Sequence, residues 1–173
     1  MNLTITKLKA EDEESLYQFE LENRTYFEEM IPGRGDDYYV YREFRRNHRT
    51  LLQEQEENGS YFYLLKNDQA EIVGRINLVD LNEQGVGSLG YRIGKRFVGQ
   101  GAATQAIKLL FKELTNLPQV RVIEAKTTTN HLSSQKVLMN NGFEKVGVTS
   151  ETYRNASGEE WPFVHFRKEV CEK

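Results

Sequence analysis

Short apolar runs separated by polar turns dominate the middle of the chain, a pattern typical of neighbouring β-strands. The runs cover residues 61–65 and 72–81 and a segment that ends at Ile93, and the turns between them lie at residues 67–69 and 82–85. Connections this short join antiparallel neighbours. The pattern therefore predicts three successive strands in an antiparallel meander, and alternation at residues 3–8 predicts a first strand before it.

Helical spacing of apolar residues lies between the first strand and the meander. Leu16, Phe19, Phe27 and Met30 form one face of a helix that opens on acidic residues 11–14, which the positive end of a helix favours. That helix is expected to break at the Pro- and Gly-containing segment 32–37. A second helix is expected from about Tyr38 to Glu57, with Asn58-Gly59 as its C-terminal cap.

The remainder of the chain predicts a strand–helix–strand unit and a closing hairpin. A helix with apolar positions from Ala103 to Leu114 follows the meander, and a strand at 120–127 follows the helix. A short helix from about Leu132 to Asn141 ends at Gly142, and two strands between residues 143 and 166 form the hairpin. Because strand, helix and strand in succession form a parallel crossover, the sheet must be mixed. The predicted fold class is α+β, with a mixed, mainly antiparallel sheet flanked by helices.

Composition and charge restrict the class of protein that these elements can form. The chain has 173 residues, of which 38% are apolar and 28% charged, so residues 1–173 are expected to form a single domain. A net charge of −3 provides no general attraction to nucleic acid or to an anionic membrane. The sequence has no run of about 18 apolar residues, and residues 1–6 lack the layout of a secretion signal. We expect a cytoplasmic protein without DNA or membrane partners.

Cysteine and histidine are too sparse to predict a disulfide or a metal site. Cys171 is the only cysteine, which excludes an internal disulfide, and its place near the end of the sequence does not suit a catalytic nucleophile. His48, His131 and His165 are far apart and have no neighbours at metal-ligand spacing. We expect no metal ion.

The chemistry suggested by the sequence is concentrated at residues 96–104, which connect the meander to the next helix. Gly99 and Gly101 allow the backbone to approach a ligand closely, and the first turn of a helix has N–H groups without partners inside the helix. No carboxylate occurs between Gly99 and Phe111 to neutralise the positive helix end. Such a turn can bind a phosphate, although an ordinary strand-to-helix connection would use glycines in the same way.

Two better-known phosphate-binding motifs do not fit. A Walker loop requires Gly-x4-Gly-Lys-Ser/Thr, which the sequence lacks. The dinucleotide pattern Gly-x-Gly-x-x-Gly occurs at residues 85–90, but these residues enter a strand, whereas the motif must open a helix. The sequence therefore predicts neither a P-loop nucleoside triphosphatase nor a Rossmann domain.

Two separated segments carry a more specific pattern: Arg96-x-x-Gly99-x-Gly101, and residues 130–143. The first resembles the Gln/Arg-x-x-Gly-x-Gly/Ala signature of the GNAT superfamily of acyl-CoA-dependent N-acetyltransferases. The second is similar to the Asn-x-x-Ser-x-x-Val-Leu-x-x-x-Gly-Phe segment of the family's ribosomal-protein N-terminal acetyltransferase (RimJ/RimL-like) branch. In element order the resemblance covers roughly Leu3 to Lys168 and implies a GNAT fold.

The resemblance also implies acetyl-CoA as co-substrate, with its pyrophosphate held by the loop amides. A main-chain N–H near Ile93 would stabilise the oxyanion that forms from the thioester. The residues expected to contact the coenzyme are Ile93, Gly94, Arg96, Val98, Gly99, Gln100, Gly101, Ala102, Ala103 and either Asn130 or His131. His131 falls on the family asparagine, and Asn130 lies one place earlier.

Ser134 falls on the family serine when the segment is counted back from Gly142-Phe143. The resemblance implies that its hydroxyl forms a hydrogen bond to the departing thiolate. The alternative is that it caps the N-terminus of a helix, a role that Ser133 could perform as well.

Transfer also requires a group that accepts a proton from the amine. We hypothesise that this group is Asp80, because it shares strand parity with Ile72, Ile76 and Leu78 and would be a desolvated carboxylate at the end of an apolar face. A strand-end aspartate that binds turn amides is the alternative, and Glu83 is the reserve candidate for the base.

The expected activity is transfer of an acetyl group from acetyl-CoA to a primary amine within a ternary complex. The acceptor could be a protein N-terminus, such as that of a ribosomal protein, or a small amine such as a polyamine, an aminoglycoside or an amino acid. Acids near the first helix break could attract a cationic amine; they are Glu28, Glu29, Asp36 and Asp37. The oligomeric state, monomer or homodimer, is left open.

Two other classes of protein remain as alternatives. One is a catalytically silent acyl-CoA-binding regulatory module. The other is an RNA- or ribosome-associated interaction protein that uses the basic, aromatic-rich segment between Arg42 and Arg49. A solvated basic face balanced by glutamates is the simpler interpretation of that segment.

Overall fold

The computed structural model describes residues 1–155 and 157–170. The strands are β1 (Thr4–Lys7), β2 (Tyr61–Lys66), β3 (Ile72–Val79), β4 (Val86–Ile93), β5 (Val122–Thr128), β6 (Glu144–Arg154) and β7 (Glu160–Glu169). The α-helices are α1 (Glu13–Met30), α2 (Tyr41–Glu56), α3 (Ala102–Leu114) and α4 (Leu132–Asn140). The expectation for Cys171 concerns a position outside the described residues.

The strands form one sheet in the order β1-β2-β3-β4-β5-β7-β6. Antiparallel pairing from β1 to β4 confirms the predicted meander. β4 and β5 are parallel, as the crossover through α3 requires, and β7 pairs antiparallel with both β5 and β6. The predicted α+β class with a mixed, mainly antiparallel sheet is therefore confirmed.

The parallel strands β4 and β5 pair over only part of their length. Residues 86–88 pair with residues 122–124, and beyond them β4 pairs with β3 alone as far as Ile93. The two strands therefore part in the middle of the sheet and leave one edge of β4 open.

The open edge carries backbone N–H groups. Along an antiparallel strand, N–H groups point alternately to its two sides. The amide of Gly94 donates to the carbonyl of Val73 on β3 (2.9 Å), so even-numbered residues of this segment face β3. The N–H groups of Tyr91 and Ile93 consequently face the gap between β4 and β5.

Helices cover both faces of the sheet because strand side chains alternate between two apolar clusters. Tyr61, Tyr63 and Leu65 of β2 belong to the cluster with α3 and α4, whereas Phe62 and Leu64 belong to the cluster with α1 and α2. The helices contribute Ala106, Ile107, Leu110 and Leu138 to the first cluster and Leu16, Phe19, Phe27 and Phe44 to the second. The apolar faces predicted for these helices are confirmed.

A bulge in β3 changes the face on which its first residue lies. Leu65 is opposite Gly74 but Lys66 is opposite Ile72, so Val73 is an extra residue on β3. As a result, Ile72 packs with α1 and α2 while Ile76, in spite of its matching parity, packs on the α3 side. The prediction from strand parity that Ile72 and Ile76 lie on one face of the sheet was wrong.

Two buried polar residues fasten α1 to the sheet. The Asn23 amide group donates to the carbonyl of Phe19 and accepts from the backbone N–H of Lys95, both at 2.9 Å. The second residue is Glu20, which is 0% exposed and accepts a hydrogen bond from Arg75 at 2.7 Å. These bonds fix α1 against the segment that follows β4.

The buried Glu20 carboxylate has more than one cationic neighbour. Burial alone would raise its pKa, but Arg75, Arg34 and Arg92 together hold the pKa of Glu20 below its ordinary value. The surrounding guanidinium groups therefore stabilise its negative charge in the core. Through these ion pairs, Glu20 connects α1 with the following loop and with strands β3 and β4.

Helix α2 begins at Tyr41, later than predicted, because residues 36–39 form a short 3-10 helix. Asn58 has a φ of 59°, the left-handed conformation expected where the helix ends. Phe44 and His48 face the core, whereas the arginines of the helix are exposed. Arg45 pairs with Glu13 at 2.7 Å, which agrees with a solvated basic face balanced by acids.

Within the described residues, no helix is both long and apolar enough to cross a membrane. The same residues contain no group of three or more histidine, cysteine, aspartate and glutamate side chains able to hold a metal ion.

Candidate active site

A cleft with a volume of about 280 Å³ opens where β4 and β5 part. The end of α1, the second half of β4, the loop before α3 and the start of α4 form its walls. Its lining includes Tyr26, Phe27, Met30, Tyr91, Ile93, Val98, Gly99, Gly101, Ala102, Ala103, His131 and Ser134. The two sequence segments with the GNAT-like pattern therefore meet in one place.

The loop before α3 has the geometry of an anion site. Gly99 and Gly101 have φ values of 78° and 79°, which glycine adopts without strain, and a Cβ at either position would meet no atom within 4 Å. The backbone N–H groups of residues 99–104 make no well-formed hydrogen bond to another described residue. No side chain caps α3, and no acidic residue lies in its first turn. The residues present thus fit a diphosphate.

Most of the predicted coenzyme residues line this cleft, but four do not. The backbone N–H of Gly94 donates to the carbonyl of Val73. The Arg96 side chain points away from the cleft and pairs with Glu71, with 2.8 Å between Nη1 and Oε1. The exposed Gln100 side chain donates to the carbonyl of Arg96. Asn130 lines a separate small cavity of about 110 Å³. Of the two candidates for the asparagine position of the family, His131 is the one that faces the cleft.

Ser134 lies on the first turn of α4, opposite the open edge of β4. Its Oγ is 2.8 Å from the phenol oxygen of Tyr91, across 43 residues of sequence. Burial raises the pKa of Tyr91, although the hydrogen bond to Ser134 acts in the opposite direction. The phenol consequently remains protonated near neutral pH and can donate a hydrogen bond.

A second pocket, of about 580 Å³, lies next to the cleft and is lined by residues from β3 to β7 and the loop after α1. The two cavities share Met30, Ile31, Tyr91, Arg92, His131 and Ser134. Two ligands bound in these cavities would therefore meet at the Tyr91–Ser134 pair.

His131 is half-buried at this junction. Its Nδ1 is 3.5 Å from the Thr127 hydroxyl, and its backbone N–H donates to the Thr128 carbonyl at 3.0 Å. Burial lowers the pKa of His131 below the ordinary value, so the imidazole is neutral and able to accept a proton at neutral pH.

Asp80 does not lie where strand parity predicted. β3 ends at Val79, and Asp80 has a φ of 54°, so the chain leaves the strand direction at this residue. Its side chain is exposed, its amide lies 3.3 Å from the Ser60 hydroxyl, and it lines neither cavity. The expectation of a desolvated carboxylate at Asp80 was wrong, and the reserve residue Glu83 is also exposed.

Sequence reasoning missed Tyr91, Arg34 and Arg92 as functional candidates. The pairing of Tyr91 with Ser134 depends on the tertiary structure and leaves no local pattern. A signal for the arginines did exist, because Glu20 lies four residues after Leu16 on the apolar face of α1. A carboxylate on a buried face predicts a buried cationic partner.

The two parallel strands of the mixed sheet part beside a loop with the geometry of an anion site, and two cavities meet there, an arrangement suited to a transferase with two substrates. Residues 2–144 match the family described as "Acetyltransferase (GNAT) domain". The chain belongs to this family, and it is an N-acetyltransferase that uses acetyl-CoA.

Relatives of known name are similar over most of their length. "Probable N-acetyltransferase YjcK" of Bacillus subtilis (strain 168) is 27% identical over 154 residues, which are 87% of this chain and 84% of that protein. The [ribosomal protein uS5]-alanine N-acetyltransferase of Escherichia coli (strain K12) is 25% identical over 153 residues, 86% of this chain and 78% of that protein.

Solved structures show the same fold. The ribosomal-protein-S5-alanine acetyltransferase of Vibrio fischeri superposes with a TM-score of 0.90 at 16% identity, over 99% of this chain and 95% of that one. The spermidine N-acetyltransferase of Vibrio cholerae, in complex with CoA and spermine, superposes with a TM-score of 0.80 at 14% identity, over 97% of this chain and 95% of that one. The GNAT fold expected from the sequence is thus confirmed.

The phosphate-binding geometry predicts the effect of Gly101→Glu. The new carboxylate would enter the open space above the loop and repel a diphosphate, so we expect acetyl-CoA affinity to fall by on the order of 100-fold. Calorimetric titration measures this loss, and circular dichroism checks that the fold is retained.

Gly158→Glu is the matched control, because Gly158 has a φ of 83° and equally open surroundings in the turn between β6 and β7. It imposes the same backbone strain away from the loop and should leave acetyl-CoA affinity unchanged. Equal affinity for both variants and the parent would rule out the loop as the coenzyme site.

Proposed function

We propose that the cleft binds acetyl-CoA, that the adjacent pocket binds the acceptor amine, and that the acetyl group is transferred at the Tyr91–Ser134 pair. The observation that carries this proposal is the meeting of the two cavities at that pair.

The coenzyme is proposed to lie along the open edge of β4. Its diphosphate would accept hydrogen bonds from the amides of residues 99–104, a placement supported by their N–H groups, which have no partner among the described residues, and by the uncapped start of α3. The pantetheine arm would then follow β4, where the N–H groups of Tyr91 and Ile93 have no strand partner. Arg96 and Gln100 would contact the phosphates only from outside the cleft, and the role of Asn130 stays a prediction.

Transfer proceeds by direct attack of the amine nitrogen on the thioester carbonyl carbon. A C–N bond forms, and the carbonyl oxygen becomes an oxyanion that an N–H group of the open β4 edge stabilises. The C–S bond then breaks and the sulfur leaves with the electron pair as a thiolate. No covalent bond to the protein is needed.

Ser134 and Tyr91 are proposed to stabilise the departing thiolate. A serine hydroxyl is a poor acid, but a hydrogen bond from it becomes stronger as negative charge develops on sulfur. The Tyr91 phenol, 2.8 Å away and protonated, can donate to Ser134 and so orient the serine hydrogen toward the sulfur.

His131 is proposed as the group that takes the proton from the attacking amine. It lines both cavities, and its lowered pKa keeps it neutral before the reaction. The exposed Asp80 and Glu83 would reach the amine only through water. These observations support His131, in place of Asp80, as the proposed proton acceptor.

The acceptor is proposed to be a primary amine, either a protein N-terminus or a small molecule. Similarity to a ribosomal-protein alanine acetyltransferase supports the first, and similarity in fold to a spermidine acetyltransferase supports the second. A cytoplasmic location, the absence of a DNA partner and a single domain of residues 1–173 stay predictions.

Ser134→Ala tests the thiolate role. We expect kcat, measured as release of free thiol, to fall by roughly 100-fold while acetyl-CoA affinity stays nearly the same, because the hydrogen bond strengthens only in the transition state. Tyr91→Phe combined with Ser134→Ala should be little worse than Ser134→Ala alone if the pair acts as a unit.

Ser133→Ala is the control for this test, since Ser133 lines the same cleft and has no hydrogen bond to Tyr91. Equal losses of turnover and acetyl-CoA affinity in Ser134→Ala would reduce Ser134 to a structural cap. If the parent binds acetyl-CoA yet releases no thiol with any amine, the silent acyl-CoA-binding module becomes the better description.

His131→Asn tests the proton acceptor. In the parent, kcat should rise with pH through the lowered pKa of His131, below about 6.5, because only the neutral imidazole can accept a proton. The variant should lose this part of the pH profile and about 100-fold in kcat at neutral pH. An unaltered profile in His131→Asn together with an altered one in Asp80→Asn would return the role to Asp80.

A further inference from the structure

The wall of the acceptor pocket contains more positive charge than its carboxylates neutralise. Glu20 Oε1 lies 2.7 Å from Arg75 Nη1 and 3.7 Å from Arg34 Nη1, and Glu20 Oε2 lies 3.6 Å from Arg92 Nη1. One carboxylate thus serves three guanidinium groups. Elsewhere along the pocket, Lys126 is paired with Glu151 at 3.4 Å. Glu20 and Arg75 do not line the pocket themselves, so its described lining contains three cations, Arg34, Arg92 and Lys126, and one carboxylate, Glu151.

Arg34 and Arg92 are the members of this cluster that a ligand can reach. Arg75 is 3% exposed and makes the short bond to Glu20, whereas Arg34 and Arg92 line the pocket. Their separations from Glu20, 3.7 and 3.6 Å, are too long for hydrogen bonds and leave donors available for another acceptor. Arg34 also lies over the ring of Tyr38 and donates to its hydroxyl, which holds its side chain in place.

The excess positive charge affects the pKa of Arg92. Burial, with Arg34 and Arg75 as further causes, lowers the pKa of Arg92 to about 10 in spite of the nearby Glu20. Arg92 is still protonated at neutral pH, and an additional anion would relieve the repulsion among the arginines. A buried cation surplus of this kind favours an anionic ligand.

Acids near the break after α1 do not cancel this surplus. Glu28 and Asp36 are both ion-paired with Arg24, which does not line the pocket. Glu29 lines the separate small cavity. None of Glu28, Glu29, Asp36 and Asp37 lines the acceptor pocket, and their attraction for a cationic amine stays a prediction.

We propose that Arg34 and Arg92 form an anion subsite in the acceptor pocket, which selects acceptors that carry a carboxylate or a phosphate on the same molecule as the amine. This inference rests on the proposed function of the pocket. The fixed guanidinium groups provide charge-assisted hydrogen bonds to the anion. The same field disfavours an ammonium group, so it promotes the neutral, nucleophilic form of the bound amine and acts against polyamines.

Matched acceptors test the subsite. Thiol release is compared for an amino acid and its carboxamide, for phosphoethanolamine and ethanolamine, and for N-terminal peptides with aspartate or asparagine in second place, with spermidine as a polycation. We expect at least about tenfold higher kcat/KM for the anionic member of the preferred pair, from charge-assisted hydrogen bonds. The comparison also distinguishes carboxylate from phosphate and a small molecule from a peptide.

Arg34→Gln should lower kcat/KM for the anionic acceptor by about tenfold more than for its neutral partner. Arg34 is used because Arg92 is more deeply buried and its loss could disturb the fold. Arg49→Gln, on the exposed face of α2, is the control and should change neither value. Affinity for acetyl-CoA should be equal in all of these variants.

The possible failures are distinguishable. Preference for the carboxamide or for spermidine, or the same effect of Arg34→Gln on both members of a pair, would overturn the anion subsite while acetyl transfer stands. If no amine is acetylated, the proposed function fails, and calorimetry with CoA-bound protein still tests the subsite. There, N-acetyl amino acids should bind more tightly than their carboxamides in the parent but not in Arg34→Gln, and equal binding in the parent would also overturn it.

Discussion

The parting of β4 from β5 is the constraint on which the rest of the site depends. A strand in the middle of a sheet normally satisfies its N–H groups on both sides, and leaving them without partners in the interior is costly. Here the parallel pairing stops after residues 86–88, and the strand edge beyond them faces a cleft. The site is therefore a place where a ligand can complete the sheet, next to a helix start that lacks its own cap.

Helix α1, on the face of the sheet opposite α3, fixes the position of β4 beside this opening. Its buried Asn23 fixes the backbone of Lys95, and its buried Glu20 gathers arginines from β3, β4 and the loop after the helix. A buried carboxylate that loses its partners is destabilising, so this cluster keeps α1 in register with β4. The same cluster sets the electrostatic character of the acceptor pocket. Under the proposed function, one interaction would link the stability of the fold with the choice of acceptor.

The sequence predicted those parts of the molecule that local chemistry determines. Alternation predicted the meander, helical spacing predicted the apolar faces of the helices, and Gly99 and Gly101 indicated a turn that has the geometry of an anion site. Long-range geometry was not accessible in the same way. β3 ends at Val79 and the backbone of Asp80 turns out of the strand direction, so strand parity does not apply to Asp80. The bond between Tyr91 and Ser134 joins residues that are 43 positions apart. His131 was expected only as a coenzyme contact, because its burial depends on how α4 packs.

A crystal structure of the protein with coenzyme A tests the central claim most directly. The diphosphate should lie within hydrogen-bond distance of the amides of residues 99–104, with the pantetheine arm along β4 and the sulfur beside the hydroxyls of Tyr91 and Ser134. A structure in which β4 and β5 pair along their whole length and the coenzyme is bound elsewhere would contradict it.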